Sequence, residues 1–236
     1  MIRIGILGAH GKMGTHLRTL LERKKFPNLK FECGFSQEEG NLFKKLTPET
    51  ISTVSVLIDF THAQATESYL PLFEECGSRV VIGTTGFTST QLEKIKKAAN
   101  RCPILLSPNM SIGVNLLFYL AQMAAQKLPP EFTSHILELH HSQKKDRPSG
   151  TALKLKELIE PHRNQAIDIS AIRGGDITGE HTVYFMGQGE RLELSHKATS
   201  REIFALGALT AAEWLYDQKP GLYSMKDVFQ KQWEEK

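Results

Sequence analysis

The stretch Ile2–Gly14, IRIGILGAHGKMG, is an apolar run that stops on a glycine and resumes at a different period. IRIGILG reads as a strand, and beyond it Met13, Leu17, Leu20 and Leu21 fall at i, i+4, i+7 and i+8, the stripe of an amphipathic helix. The segment is therefore a strand, a glycine turn and a helix. Working outward, KFECGF offers a second strand, VSVLIDFT a third, RVVIGTTG a fourth and CPILLSPN a fifth. After the fourth, STQLEKIKKAAN reads as a helix in which Ser89 caps the start and Leu92, Ile95 and Ala99 share a face. Strands alternating with helices predict a doubly wound α/β layer with a parallel sheet.

The second half has a different character. TSHILELHH, AIDISAIRGG and HTVYFMGQGERLELSHKA read as strands joined in part by hairpin turns, the clearest at Gly187-Gln188-Gly189, so a mixed or antiparallel sheet is expected. A last helix, REIFALGALTAAEWLYDQ, is apolar around much of its circumference and is expected to pack back on the first half. The predicted division is residues 1–110, completed by 209–236, and residues 111–208.

A chain of 236 residues fits one large or two small domains. Its formal charge of +3 gives no argument for nucleic acid, although a mildly basic surface suits a small anion. Cys33, Cys76 and Cys102 are too few and too scattered for a disulfide framework or zinc ribbon. The first residues carry no leader pattern, so a cytoplasmic protein is expected. The longest apolar run, Ile112–Ala125, is interrupted by Asn115 and Gln122 and falls short of the roughly 20 residues a spanning helix needs. It reads as a core helix, and no membrane partner is expected.

Gly8, Gly11 and Gly14 form a G-x-x-G-x-x-G string between strand and helix, the context in which a glycine turn becomes a candidate phosphate cradle. Gly8 permits the tight turn, Gly11 leaves room for a pyrophosphate and Gly14 lets helix and strand pack closely. The bare alternative is a glycine-rich turn without a ligand. At the end of the second strand Glu32 falls inside the strand, while Ser36 and Gln37 take the place where an acidic residue would hold a ribose. Serine does not repel a 2′-phosphate and Lys12 can help neutralise one, so the reading favours NADPH and leaves NADH open. The turns DFTHA and GTTGF, at strand carboxyl ends, are expected near the nicotinamide; alternatively Thr61, Thr84 and Thr85 only cap turns.

The densest chemistry lies in Glu138–Ala152, ELHHSQKKDRPSGTA. His140 and His141 close a strand and should point to opposite faces. The polar stretch that follows lets Lys144 curl back, and Ser149 reads as the N-cap of a helix buried through Ala152, Leu155, Leu158 and Ile159. A titratable imidazole, an ammonium and a helix N-terminus suit a carboxylated substrate that must also receive a proton. The plain alternative is a solvated basic loop. A metal site built from His140, His141, His181 and His196 is disfavoured because the adjacent pair diverges and no H-x-x-x-H spacing occurs, so no metal is expected.

GAHGKMG, DFTHA, GTTGF, SPNMSIGVN, ELHHSQKKDRPSGTA and RGGDITGEHTVYF occur in the order found in dihydrodipicolinate (4-hydroxy-tetrahydrodipicolinate) reductases of lysine and diaminopimelate biosynthesis, which the chain resembles over nearly its whole length. The resemblance implies an NAD(P)H-dependent reductase with a Rossmann domain, an α/β domain that binds substrate, and a homotetramer. It implies hydride transfer to ring carbon 4, with His140 as the acid/base residue and Lys144 as proton donor. It further implies that His141, Gly150 and Thr151 hold the substrate carboxylates. Gly8, Ala9, His10, Gly11, Lys12 and Met13 would surround the cofactor phosphates, with Ser36 at the ribose. Gly83, Thr84, Thr85, Ser107, Pro108, Asn109 and Met110 would lie near the nicotinamide. The chain departs from the family at Ser36 and Gln37, where an acidic residue is common, and is short for it. Two other readings stay open: another Rossmann reductase of imino or oxo dicarboxylates, similar to aspartate dehydrogenase, and a non-enzymatic NAD(P)H sensor.

Overall fold

The structure, a computed structural model, describes residues 1–36, 40 and 42–234, with side chains described to residue 230. It divides into two compact units, Met1–Ser111 with Glu202–Lys236, and Ile112–Arg201. The whole of the last apolar helix thus belongs with the first unit, whereas the expected boundary at 208 put its first turns with the second.

The first unit contains strands β1 (Ile2–Leu7), β2 (Leu29–Phe35), β3 (Phe43–Lys44), β4 (Val56–Asp59), β5 (Val80–Ile82) and β6 (Pro103–Leu106). Among them run helices α1 (Lys12–Glu22), α2 (Pro48–Ile51), α3 (Ala63–Cys76) and α4 (Ser89–Ala98). The second unit contributes α5 (Ile112–Lys127), β7 (Thr133–His140), α6 (Gly150–Ile159), β8 (Asp168–Arg173), β9 (Gly179–Gly187) and β10 (Glu190–Ala198). The chain then returns to the first unit with α7 (Glu202–Leu215), β11 (Gly221–Tyr223) and α8 (Met225–Glu234).

The first sheet has the order β11-β6-β5-β4-β1-β2-β3, and its paired strands are parallel, the doubly wound arrangement expected. The strand order reverses between β1 and β4, the crevice where such sheets bind ligands. Strand alternation supplies both faces with core. Ile4, Ile6, Val56 and Ile58 pack with α1, α7 and α8, while Leu7, Leu57, Val80 and Ile82 pack with α3 and α4. Helix α7 comes so close to the turn after β6 that a Cβ on Gly207 would lie 1.7 Å from the Met110 carbonyl oxygen.

Helix α4 differs from expectation in its details. Its N-cap is Thr88, in a capping box with Gln91, and Ser89 is the first helical residue. Gln91, Ile95, Ala98 and Ala99 are buried and Leu92 is exposed. The polar Gln91 takes the inward position because its side chain reaches the Thr88 backbone amide and Glu67.

The second sheet is mixed, in the order β10-β9-β7-β8, with β7 and β8 parallel and the other pairs antiparallel. Along β7 the inward residues are Ile136, Glu138 and His140. Helices α5 and α6 cover this inner face, where Ile136, Val183 and Phe185 pack with Val114, Phe118, Ala152 and Leu155. The run Ile112–Ala125 is the expected core helix, and among the described residues no helix is long and apolar enough to cross a membrane.

Candidate active site

Two groups of residues gather, one in each unit. In the first, Gly8 leaves β1 at φ +77°, and a Cβ there would lie 2.7 Å from the Phe60 carbonyl oxygen, so the turn admits only glycine. A Cβ on Gly14 would lie 2.5 Å from both Ala9 Cα and the Gly8 carbonyl oxygen. At Gly11, the N-cap of α1, the same atom would meet only the Gly8 oxygen, at 3.2 Å, which leaves the backbone open above the first turn of α1. A cavity of about 430 Å³ lies beside this turn, lined among others by Gly8, His10, Gly11, Ser36, Lys45 and Thr61. A glycine cradle at a helix N-terminus, opening on a cavity at the strand reversal, fits a dinucleotide.

The candidate cofactor residues are placed as follows. His10, Gly11 and Lys12 are exposed, Met13 is half-buried against the core, and Ala9 is buried. The His10 ring stacks on Phe43, with centroids 4.0 Å apart, and the Arg18 guanidinium lies over the same ring. The Ser36 amide donates to the Lys44 carbonyl; Gln37 lies outside the described residues. Thr61 and Thr84 have a different occupation. Asp59, fully buried at the end of β4, accepts from the Thr61 amide (2.8 Å) and from the hydroxyls of Thr61 (2.6 Å), Thr66 (2.6 Å) and Thr84 (3.3 Å). Burial pushes the Asp59 carboxyl up, against the lowering effect of those bonds. The GTTG turn is thereby tied to β4, with Thr84 buried and Thr85 exposed. Gly83 packs under Phe60, where a Cβ would come within 2.3 Å of the ring. In the turn after β6, Ser107 is buried and donates to the Asn109 carbonyl. Pro108 is exposed, Asn109 half-buried, and Met110 is buried in the core.

The second group lies on the inner face of the mixed sheet. Glu138 and His140 are two residues apart on β7 and so share a face; His181 pairs with Glu138 across β9, and Arg173 pairs with His140 across β8. Glu138 is fully buried. One carboxylate oxygen, Oε1, accepts from Arg173 Nη2 (2.7 Å) and from the Ser149 amide (3.2 Å), and the other, Oε2, lies against His140 Nδ1. Burial works to raise the Glu138 carboxyl, but Arg173, His140 and the Ser149 amide outweigh it and hold it below the usual range. Burial lowers His140, and Lys144 and Arg173 lower it further against the opposing pull of Glu138. His181 is lowered to about 3 by burial and by His140. Its Nε2 is 3.2 Å from Ser149 Oγ, which also caps α6 by accepting from the Ala152 amide.

His140 is buried at the end of β7, and His141 lies just beyond the strand and is half-buried. Lys144 does fold back: its amide donates to the His141 carbonyl and its ammonium pairs with Asp146 at 2.9 Å. Gly150 is exposed and Thr151 half-buried at the start of α6. Arg147 is held structurally by the Ala171 carbonyl, while Lys145 is exposed. A cluster of ligand-type groups does form, without His141 or His196: Glu138, His140 and His181 bring donor atoms within 4.8 Å of one another. Both Glu138 oxygens are already engaged, one of them by a guanidinium that would repel a cation. Glu138 and Arg173 escaped the sequence reading. The available signal was the period-two spacing of Glu138 and His140, but their partners lie on strands whose register the sequence does not display.

Models of the two halves of one family match the chain. "Dihydrodipicolinate reductase, N-terminus" covers residues 2–110 and "Dihydrodipicolinate reductase, C-terminus" residues 113–229. The chain belongs to the dihydrodipicolinate reductase family. Among relatives, the 4-hydroxy-tetrahydrodipicolinate reductase of Aquifex aeolicus is 39% identical, covering 96% of this chain and 98% of its own. That of Methanosarcina mazei is 40% identical, with 97% and 99% covered. A dipicolinate-bound dihydrodipicolinate reductase from Paenisporosarcina superposes with a TM-score of 0.79 at 26% identity, covering 95% of this chain and 97% of that one. Aspartate dehydrogenase from Thermotoga maritima, at 12% identity and a TM-score of 0.55 over 93% and 98% of the two chains, shares the fold. The dihydrodipicolinate reductase assignment therefore rests on both halves of the chain.

Proposed function

We propose that this chain reduces 4-hydroxy-tetrahydrodipicolinate to tetrahydrodipicolinate, with release of water, in diaminopimelate and lysine biosynthesis. The observation that carries the residue assignments is the buried joint at Glu138, which brings the His140 imidazole and the N-terminus of α6 to one carboxylate. His140 takes up and delivers a proton, and Lys144, on the adjoining loop, is the proton donor. His141, Gly150 and Thr151 hold the substrate carboxylates, with the positive end of the α6 dipole facing the anion. His181, kept neutral by burial, adds no charge beside His140. We read Glu138, His140 and His181 as a proton-handling group rather than a metal site.

Gly8, Ala9, Gly11, Lys12 and Met13 would hold the phosphates of a bound nicotinamide dinucleotide, which supplies the reducing hydride. His10 would join them at the phosphates, Ser36 would meet the ribose, and the turns Gly83–Thr85 and Ser107–Met110 the nicotinamide half. An exposed Lys12 in the glycine turn and an uncharged Ser36 at the cavity favour NADPH. We also expect a cytoplasmic homotetramer. The outer face of the mixed sheet supports the assembly, since Leu137, Leu139, Ile172, Tyr184 and Met186 lie at its surface.

The test is to follow NADH and NADPH oxidation separately with purified protein and the product of dihydrodipicolinate synthase. Oxidation with at least one cofactor, faster with NADPH, is expected; no oxidation with either rejects the assignment.

A further inference from the structure

We infer that Glu138, clamped by Arg173, is a positioning residue that fixes the tautomer of His140 and joins it mechanically to the N-terminus of α6. The inference rests on the proposed role of His140 and concerns how that role is prepared.

Oε2 of Glu138 and Nδ1 of His140 are in close contact, and both side chains are buried. A carboxylate oxygen and an unprotonated ring nitrogen would repel at that distance, so a proton lies between them. Neutral His140 therefore carries its hydrogen on Nδ1, and its Nε2 is the atom free to take up and hand over a proton. Glycine at 179 leaves room beside that atom: a Cβ there would lie 2.9 Å from His140 Nε2. The remaining polar groups around the ring come from each neighbouring element. They are Lys144 on the following loop, Arg173 on β8, and His181 on β9, whose ring meets His140 edge-on.

The opposite oxygen explains why the carboxylate cannot turn away. Oε1 accepts from two donors, Arg173 Nη2 and the Ser149 amide, and Ser149 is the N-cap of α6. Arg173 is itself anchored on the Asp146 carbonyl at 2.6 Å. A fully buried acid with such partners is a fixed joint between the group proposed to move the proton and the helix end proposed to bind the substrate.

Glu138→Gln separates charge from shape. Arg173 and the Ser149 amide both donate, so the Gln oxygen must face them and its NH₂ must face His140 Nδ1. Nδ1 then becomes an acceptor and the ring hydrogen moves to Nε2. The experiment reads the imidazole ¹⁵N shifts of His140, assigned with His140→Ala, alongside steady-state kinetics across pH. The expected result is an Nδ1–H tautomer in the wild type and Nε2–H in Glu138→Gln. With it, kcat should fall about tenfold or more, with NADPH affinity unchanged and activity partly restored in Glu138→Asp. Glu138→Gln combined with His140→Ala should be no worse than His140→Ala alone, because Glu138 acts through the histidine. A neutral wild-type His140 protonated on Nε2 would overturn the inference, even if no Glu138 variant folds. Losses that multiply in the double variant would also overturn it, reducing Glu138 to a stabilising residue. Full activity of His140→Ala would instead overturn the proposed role of His140, while the tautomer measurement would still report separately on the Glu138 joint.

Discussion

The rings of His140 and His181 stand edge to face, with centroids 5.1 Å apart and planes at 74°, both buried on the inner face of the mixed sheet. Two imidazoles this close cannot both be charged without cost, and His181 is the one held neutral, at about 3.

Stability should therefore depend on acid through His181. Its folded pKa lies below the ordinary histidine value of 6.5, so the unfolded chain binds the extra proton between those limits. The stabilisation is fully present above about pH 6.5 and is lost as pH falls toward about 3. His140 and His196, also lowered by burial, add to the same trend. Urea unfolding at pH 7 and pH 5 should show the decline, and His181→Gln should make it shallower while lowering stability at pH 7 by about 1–3 kcal/mol.

Lys144→Ala should lower kcat by about a hundredfold or more while NADPH affinity stays within about twofold. Asp146→Asn, which releases the ammonium from an exposed carboxylate, should change stability by less than about 1 kcal/mol. Stopped-flow turnover and fluorescence titration of NADPH measure the two separately; undiminished turnover in Lys144→Ala would remove the lysine from proton delivery.

The glycines of the first turn should separate by function. Gly14→Ala forces a Cβ onto Ala9 and the Gly8 oxygen and should destabilise the chain by about 1–3 kcal/mol. Gly11→Ala meets only one backbone atom at 3.2 Å and should fold almost normally, yet lose about tenfold or more in NADPH affinity by occupying the cradle. Thermal denaturation with and without NADPH distinguishes them.

Asp59→Ala removes the carboxylate that accepts from the Thr61, Thr66 and Thr84 hydroxyls, leaving Thr66 and Thr84 only long bonds to the His62 and Asp59 carbonyls, and should cost about 2–4 kcal/mol. Asp59→Asn should cost less than half as much, because the amide oxygen can serve Thr61 and Thr84 while Thr66 accepts from the amide nitrogen. Equal losses from both variants, measured by denaturant unfolding, would show that charge rather than hydrogen bonding holds the turn.

Much of this was legible in the sequence. The strand–turn–helix at Gly8–Gly14 displays two periodicities in succession, and the Ser149 cap precedes a regular buried stripe, so both were predictable locally. The short strands β3 and β11, of two and three residues, are below the length at which alternation can be read. Leu92 was misplaced because a capping box turned Gln91 inward, a case where local hydrogen bonding outweighed apolarity. The joint around Glu138 was hidden for another reason. Its partners Arg173 and His181 are distant in sequence and meet it only through the register of three strands, whereas charge alone made ELHHSQKKDRPSGTA resemble a solvated loop.

The most direct test of the account is the stoichiometry of the reaction. Wild-type protein supplied with NADPH and freshly generated 4-hydroxy-tetrahydrodipicolinate should form one tetrahydrodipicolinate for each NADPH oxidised, and His140→Ala and Lys144→Ala should slow both together. NADPH consumption without that product, or equal rates in all three proteins, would contradict the account.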